Sequence, residues 1–171
     1  MKQNSEYRNY IENCMEYYSY AMTAISLIDE FLENNDIQEL YQYEEGCYGI
    51  NDEEYDSSLE AKLDEYRALL GSAGWVMPYI MCEAETIFEY LKSKPKHCLN
   101  LPCFKEKMAV CAMLCYAYLE IYDGYYDVAN YCDVQSADYG FRSIPQVLRN
   151  MLKTANIKVD LGELCYKYCN W

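Results

Sequence analysis

Residues 104–122 read FKEKMAVCAMLCYAYLEIY and carry no charge between Lys107 and Glu120. Apolar, thiol and ring side chains surround a helix over these residues on nearly every side, which is typical of a helix buried in a core. We therefore predict that this helix forms the centre of the core and ends at Gly124. The uncharged run of residues 108–119 is well short of the roughly 18 to 20 apolar residues that a membrane span needs. A membrane helix is not predicted.

The size of the chain indicates a single domain with a core large enough to fold unaided. It has 171 residues, of which 52% are hydrophobic. The first apolar patch, residues 21–28, lies behind two acids and has no basic leader before it, so we expect a cytosolic protein. The ten cysteines are accordingly expected to be reduced thiols rather than disulfides.

The charge of the chain is concentrated in its first third. The formal net charge is -14, and residues 9–61 contain no Lys or Arg among their many acids, whereas residues 62–171 are nearly neutral. A one-sided negative field repels nucleic acid and anionic membranes and attracts basic surfaces. The charge therefore predicts no direct nucleic-acid binding and no membrane binding.

A long amphipathic helix is predicted over residues 7–32, with Asn4 or Ser5 as its N-cap. Its apolar side chains recur at alternating spacings of four and three, which is a heptad seam. The seam consists of Tyr7, Ile11, Cys14, Tyr18, Ala21, Ile25, Ile28 and Leu32. The pattern favours a helix packed on its own domain, with an intermolecular coiled coil as the alternative.

Further helices are predicted along the rest of the chain, each from an apolar stripe and its start or stop signals. A short one spans 36–43 with Asp36 as its cap, and Ser57 with Glu60 forms a capping box for another over 59–70 that stops at Gly71. The next begins near Ser72, keeps Pro78 in its first turn and ends before Pro95. Others are predicted over 125–132, 145–154 and 160–168. No strand is predicted, so the fold class is all-α, a bundle of six or seven helices.

One long acidic loop, residues 44–58, interrupts this series. Loops of this length in compact domains are usually functional or disordered. Tyrosines alternate with acids here and just before it, and amphipathic rings are common at binding surfaces. The predicted partner-binding residues are Tyr41, Tyr43, Glu44, Glu45, Tyr48, Asp52, Glu53, Glu54, Tyr55 and Asp56. The alternative is a solvated acidic loop that binds nothing.

No motif in the chain predicts an enzyme or a cofactor. There is one histidine, His97, which excludes His-rich metal sites, and the seven glycines are too scattered to cradle a phosphate. Five lysines around Pro95 form a basic cluster, for which cations near a helix C-terminus are a better explanation than phosphate binding. The cluster consists of Lys92, Lys94, Lys96, Lys105 and Lys107.

Cysteines provide the only candidate metal ligands. Cys111 and Cys115 are four residues apart, as are Cys165 and Cys169, so each pair points along one helix face. Facing each other, the two pairs would offer four thiolates to zinc or an iron–sulfur cluster. Small buried core residues are the favoured interpretation and the metal site is the alternative, because cysteine is among the most buried residue types.

The charge and the tyrosines together favour a binding protein whose acidic face occupies a basic surface of another protein. In its sharpest form this is an inhibitor that imitates nucleic-acid charge, as anti-restriction and anti-CRISPR proteins do, because Lys and Arg of a nucleic-acid-binding partner recognise charge and position. One alternative is a structural or self-associating bundle that uses the heptad seam, so a homo-oligomer is left open. The other is a Cys-ligated metal or redox protein.

Overall fold

The computed structural model describes residues 2–47, 56–124, 143–156 and 158. Within these ranges the chain is helical and contains no strand, which confirms the all-α class. The α-helices are α1 (Lys2–Asn34), α2 (Ile37–Cys47), α3 (Ser57–Lys92), α4 (Pro102–Gly124) and α5 (Ser143–Thr154), with a short 3-10 helix (Lys96–Asn100) before α4. The helices predicted over 125–132 and 160–168 lie outside the described residues, and so does most of the predicted acidic loop.

Helix α1 confirms the predicted amphipathic helix and is longer than predicted. Because it begins at Lys2, Asn4 and Ser5 lie inside the helix, and the predicted N-cap is wrong. Six of the eight seam residues are buried, and the outer two, Tyr7 and Leu32, pack against the same core. The seam therefore lies within the chain's own bundle and leaves no heptad surface for a second copy.

Helix α2 confirms the predicted cap and corrects the predicted length. The Asp36 carboxylate accepts hydrogen bonds from the backbone N–H groups of Gln38 and Glu39, at 2.9 and 3.3 Å, which satisfies two donors of the first turn. The helix continues to Cys47 instead of ending at Tyr43. Glu44 and Glu45 are consequently helical rather than part of a loop.

Helix α3 is one helix of 36 residues where two were predicted. Neither Gly71 nor Pro78 ends it, because its buried side chains continue with helical spacing through both positions, from Leu63 and Leu70 to Ile80 and beyond. Burial against the neighbouring helices outweighs the local cost of glycine and proline in a helix interior. Pro78 is exposed, which keeps its ring away from the core.

The start of α3 also differs from the prediction. Asp56, not Ser57, is the N-cap: its carboxylate accepts from the N–H groups of Ser58 and Leu59 at 2.8 and 3.3 Å. The predicted capping box of Ser57 and Glu60 is therefore wrong. An aspartate is as good a cap as a serine and adds a negative charge that the helix N-terminus favours.

Helix α4 lies at the centre of the core, as predicted. Met108, Cys111, Leu114 and Tyr118 are fully buried, and α4 packs against both α1 and α3. Helix α5 covers part of α4 and α3. Within the residues that the structure describes, none of the helices combines the length and the hydropathy of a membrane span.

Helices α1 and α3 run antiparallel along most of their length. Three pairs of rings show this register: as the residue number increases along α1, the number of its partner on α3 decreases. The pairs are Tyr17 with Tyr79, Tyr20 with Trp75 and Phe31 with Tyr66, with ring centroids 5.3 to 5.5 Å apart. The Phe31 and Tyr66 rings are buried, whereas the other two pairs are at the surface. This register determines which side chains meet on the outer face of the two helices.

Candidate partner-binding surface

The predicted partner-binding residues are divided between the core, a salt bridge and the surface. Tyr41 and Tyr43 are half-buried and pack against the core, and Glu45 is exposed. Asp56 is exposed and is used as the cap of α3. The remaining predicted residues, Tyr48, Asp52, Glu53, Glu54 and Tyr55, lie outside the described residues.

Glu44 belongs to a charge cluster around Arg67 of α3. The Arg67 guanidinium lies 2.7 Å from the Glu44 carboxylate, 3.3 Å from Asp64 and 3.7 Å from Glu60. The hydrogen bond to Glu44 is the main reason why the pKa of Arg67 is raised. One cation thus holds three carboxylates and links α2 to α3, so Glu44 has a structural partner within the chain.

The exposed carboxylates of this region gather where α1 ends and α2 begins. We call this set the acidic corner; it consists of Asp29, Glu30, Glu33, Asp36 and Glu39, all exposed. Asp29 and Glu33 are one helical turn apart, as are Glu30 and Glu33, so their side chains are neighbours on the surface of α1. The acidic corner is therefore a negative surface that spans the junction between α1 and α2.

The end of α1 is an unfavourable place for acids. The last turn of a helix carries partial negative charge on its carbonyl groups, and α1 has no basic residue there. Like charges one turn apart add to the repulsion. Glu33 is the acid of this turn, and its carboxylate opposes folding by roughly 0.3–1 kcal/mol at low salt. A cation supplied from outside would relieve this repulsion.

A second surface feature lies on the outer face of α1 and α3. We call it the aromatic cluster: Tyr17 and Tyr20 of α1 with Trp75 and Tyr79 of α3. The Trp75 ring is 5.5 Å from Tyr20 and 5.0 Å from Tyr79, and Tyr79 stacks on Tyr17 at 5.3 Å. Trp75 is 55% exposed, Tyr20 48% and Tyr79 42%, although rings of this size are usually well covered.

Sequence reasoning missed the aromatic cluster because its members are distant in sequence. Tyr20 and Trp75 meet only because α1 and α3 are antiparallel in one particular register, and the predicted break of α3 at Gly71 obscured that register. A usable signal was present: Tyr20, Trp75 and Tyr79 are large rings off the buried stripes of their helices.

Carboxylates border the aromatic cluster. Glu83, one turn beyond Tyr79, accepts a hydrogen bond of 2.6 Å from the Tyr10 hydroxyl. Burial and then the charge of Glu83 raise the pKa of Tyr17. Glu16 is exposed beside Tyr17 on α1. The local potential is therefore negative.

The basic cluster is engaged with rings and carboxylates at the opposite end of α3. The ammonium group of Lys107 lies 3.7 Å from the centre of the Tyr7 ring, that of Lys94 lies 4.3 Å from Tyr90, and Lys92 pairs with Glu89 at 3.2 Å. Burial lowers the pKa of Lys107. Beside this cluster is a cavity of about 330 Å³, whose lining includes Lys92, Lys94, Lys96, Leu99 and Met151.

The cysteines of the candidate metal site are only partly described. Cys111 and Cys115 are buried in the core, and the Cys111 thiol donates to the Ala84 carbonyl oxygen at 3.3 Å. The hydrogen bond with Cys115, together with burial, raises the pKa of Cys111 and favours the thiol over the thiolate that a metal needs. Among the described residues no cluster of His, Cys, Asp and Glu has the geometry to hold a metal ion. Cys165 and Cys169 lie outside them.

Comparison with known proteins finds no match among protein-family models, curated protein sequences or solved structures.

Proposed function

We propose that this protein is an acidic binding module that covers a basic surface of another protein. The observation that carries the proposal is the acidic corner, where exposed carboxylates lie on both sides of the junction between α1 and α2, in a stretch of the chain, residues 9–61, that has no Lys or Arg. These carboxylates repel one another in the unbound protein. Neutralisation by a partner's Lys and Arg converts that repulsion into binding free energy.

The negative surface is well suited to long-range attraction. Glu44 and Glu60 are held by Arg67, and Glu12 pairs with Arg8 at 2.9 Å. The carboxylates of Glu30, Glu33 and Glu39 are exposed to solvent. Exposed charges act over a Debye length of about 8 Å at physiological salt. Association with a basic protein should therefore be fast and should weaken as salt is added.

In its specific form the proposal is an inhibitor that competes with nucleic acid. Carboxylates one helical turn apart are spaced by about 5.4 Å along the axis, which is of the same order as the roughly 3.4 Å rise per phosphate of one DNA strand. A partner that binds phosphates with flexible Lys and Arg side chains can accept such carboxylates instead. The expected partner is a nucleic-acid-binding protein, and the exposed free thiols of Cys82 and Cys103 suit a reducing, cytosolic compartment.

The test is affinity capture from a lysate with tagged protein, followed by identification of bound proteins by mass spectrometry. The decisive variant combines Glu30→Gln, Glu33→Gln and Glu39→Gln, which keeps side-chain size and removes three charges. We expect the wild-type protein to retain a basic nucleic-acid-binding protein and the variant to lose most of it.

The matched control removes three exposed charges elsewhere, by Glu6→Gln, Glu85→Gln and Glu89→Gln. The antiparallel register places these three residues near the other end of α1, away from the acidic corner. The control therefore loses as much negative charge as the decisive variant but keeps the acidic corner intact. We expect this control to capture the same partner as wild type. Equal capture by both triple variants, or equal loss in both, would contradict a role for the acidic corner.

A further inference from the structure

The aromatic cluster has the properties of a binding site for a cation. Rings present a negative face to solvent, and Arg or Lys placed over such a face is attracted to it, most strongly over tryptophan. Trp75 is the most exposed ring of the cluster, and its neighbours Tyr20 and Tyr79 leave it accessible. The cluster therefore offers a broad aromatic surface of one electrostatic sign.

No cation of α1 or α3 occupies this surface. Residues 9–61 contain no Lys or Arg, and neither do residues 68–91, which include Trp75 and Tyr79. In the part of the chain that the structure describes, the lysines that do lie over rings are at the far end of α3: Lys92 over Phe88, Lys94 over Tyr90 and Lys107 over Tyr7. Among the described residues, cation–ring contacts are therefore found at one end of the bundle, whereas the rings of the aromatic cluster are exposed without such a contact.

We propose that the aromatic cluster binds an arginine side chain of the basic partner, with the guanidinium over the Trp75 ring. This inference rests on the proposed function and names the contact that would give it specificity. Arginine fits better than lysine because its planar, weakly hydrated guanidinium stacks on aromatic faces. Glu16 and Glu83 border the cluster and add attraction for the same cation.

Charge disfavours the other obvious occupants. A second copy packed with the same face inward would bring one acidic face against another, and a nucleic acid or an anionic membrane would meet like charge. A basic protein segment is the occupant whose charge complements the surface.

The aromatic cluster and the acidic corner are positioned to act on one segment. Tyr20 and Glu30 are separated along α1 by about 15 Å, given a rise of roughly 1.5 Å per residue. Leu27, 46% exposed, lies between them. An arginine at the aromatic cluster would thus place further Lys or Arg residues, about five positions away in an extended segment, at the acidic corner.

The test uses two fluorescein-labelled peptides, one of alternating Arg and Gly and one of alternating Lys and Gly with the same charge. Each is titrated with the 171-residue protein. We expect tighter binding of the Arg peptide. Trp75→Gln should weaken binding of the Arg peptide about five- to tenfold and binding of the Lys peptide by less. Trp75→Phe should bind the Arg peptide more tightly than Trp75→Gln does, because it keeps an aromatic ring.

The matched control is Tyr116→Gln, which removes another exposed ring, 43% accessible, from α4. It should leave both affinities unchanged. Tyr20→Gln is a second cluster variant, so that the result does not depend on one substitution, and circular dichroism with thermal unfolding checks that each variant is folded.

Each failure has a separate meaning. Equal binding of the Arg peptide by wild type and both cluster variants would overturn this inference and leave the proposed function standing. If neither the Arg peptide nor the Lys peptide bound at low salt, both this inference and the proposed function would be overturned. A dimer in sedimentation that disappears in Trp75→Gln would show that a second copy is the occupant and would also overturn the inference.

Discussion

Glu83 is the carboxylate around which several unusual side chains of α1 are arranged. It accepts a hydrogen bond of 2.6 Å from the hydroxyl of Tyr10, and its negative charge raises the pKa values of the nearby Cys14 and Tyr17. Burial, followed by the charge of Glu83, raises the pKa of the Cys14 thiol from 9.0 to about 12. Burial and the hydrogen bond to Glu83 raise the pKa of Tyr10 as well. Both groups therefore keep their protons in the folded protein.

These raised pKa values predict a loss of stability in alkali. Between pH 9 and about 12 the unfolded chain ionises its thiol while folded Cys14 stays protonated, so the folded state binds more protons and the free energy of unfolding falls as pH rises. We expect Cys14 to account for a loss of about 1 to 2 kcal/mol between pH 8 and 10.5, measured by urea unfolding.

The control for this prediction exchanges one thiol at a time. Cys14→Ala should show a smaller loss over the same pH range, whereas Cys82→Ala, at an exposed thiol, should lose as much as wild type. The same loss in Cys14→Ala as in wild type would assign the alkaline effect to other groups.

Helix α3 shows where local signals and packing disagree. Gly71 lies in its interior, half-buried, and a methyl group added there would meet no atom within 4 Å. We expect Gly71→Ala to raise the free energy of unfolding by about 0.5–1 kcal/mol, because alanine loses less backbone freedom in a helix. The measurement is the urea midpoint at constant slope.

The matched control is the reverse substitution, alanine to glycine, one helical turn before Gly71. Ala68 is exposed on the same helix, and Ala68→Gly should lower stability by a similar amount. A lower midpoint for Gly71→Ala would mean that α3 needs glycine at this position.

A helix with one continuous apolar pattern is predicted well from the sequence, whereas the positions where helices begin and end are predicted poorly. The uncharged run of α4 and the seam of α1 were sufficient to place both helices and most of their buried side chains. Gly71 and Pro78 indicated a break in α3 because propensity is local, whereas burial on α1 and α4 depends on residues distant in sequence. For the same reason Asp36 was recognisable as a cap, but the extension of α2 through Glu44 and Glu45 was not.

In the whole molecule, too, the charge of the candidate site could be predicted from the sequence, whereas the contacts between its helices could not. Its charge was evident from the absence of Lys and Arg in residues 9–61, because net charge needs no fold. The pairing of Glu44 with Arg67 and the meeting of Tyr20 with Trp75 depend on how helices are placed side by side. The acidic side of the molecule therefore combines a charge pattern written in sequence with an aromatic cluster that only the fold creates.

The decisive measurement is whether this protein and nucleic acid compete for the same basic partner. The captured basic protein would be bound to fluorescent duplex DNA or RNA and titrated with wild-type protein or with the Glu30→Gln, Glu33→Gln, Glu39→Gln variant. We expect wild type to displace the nucleic acid and the variant to need about tenfold more protein for the same displacement, since three charge contacts are lost. A complex that holds nucleic acid and this protein together, or equal displacement by the variant, would contradict this expectation.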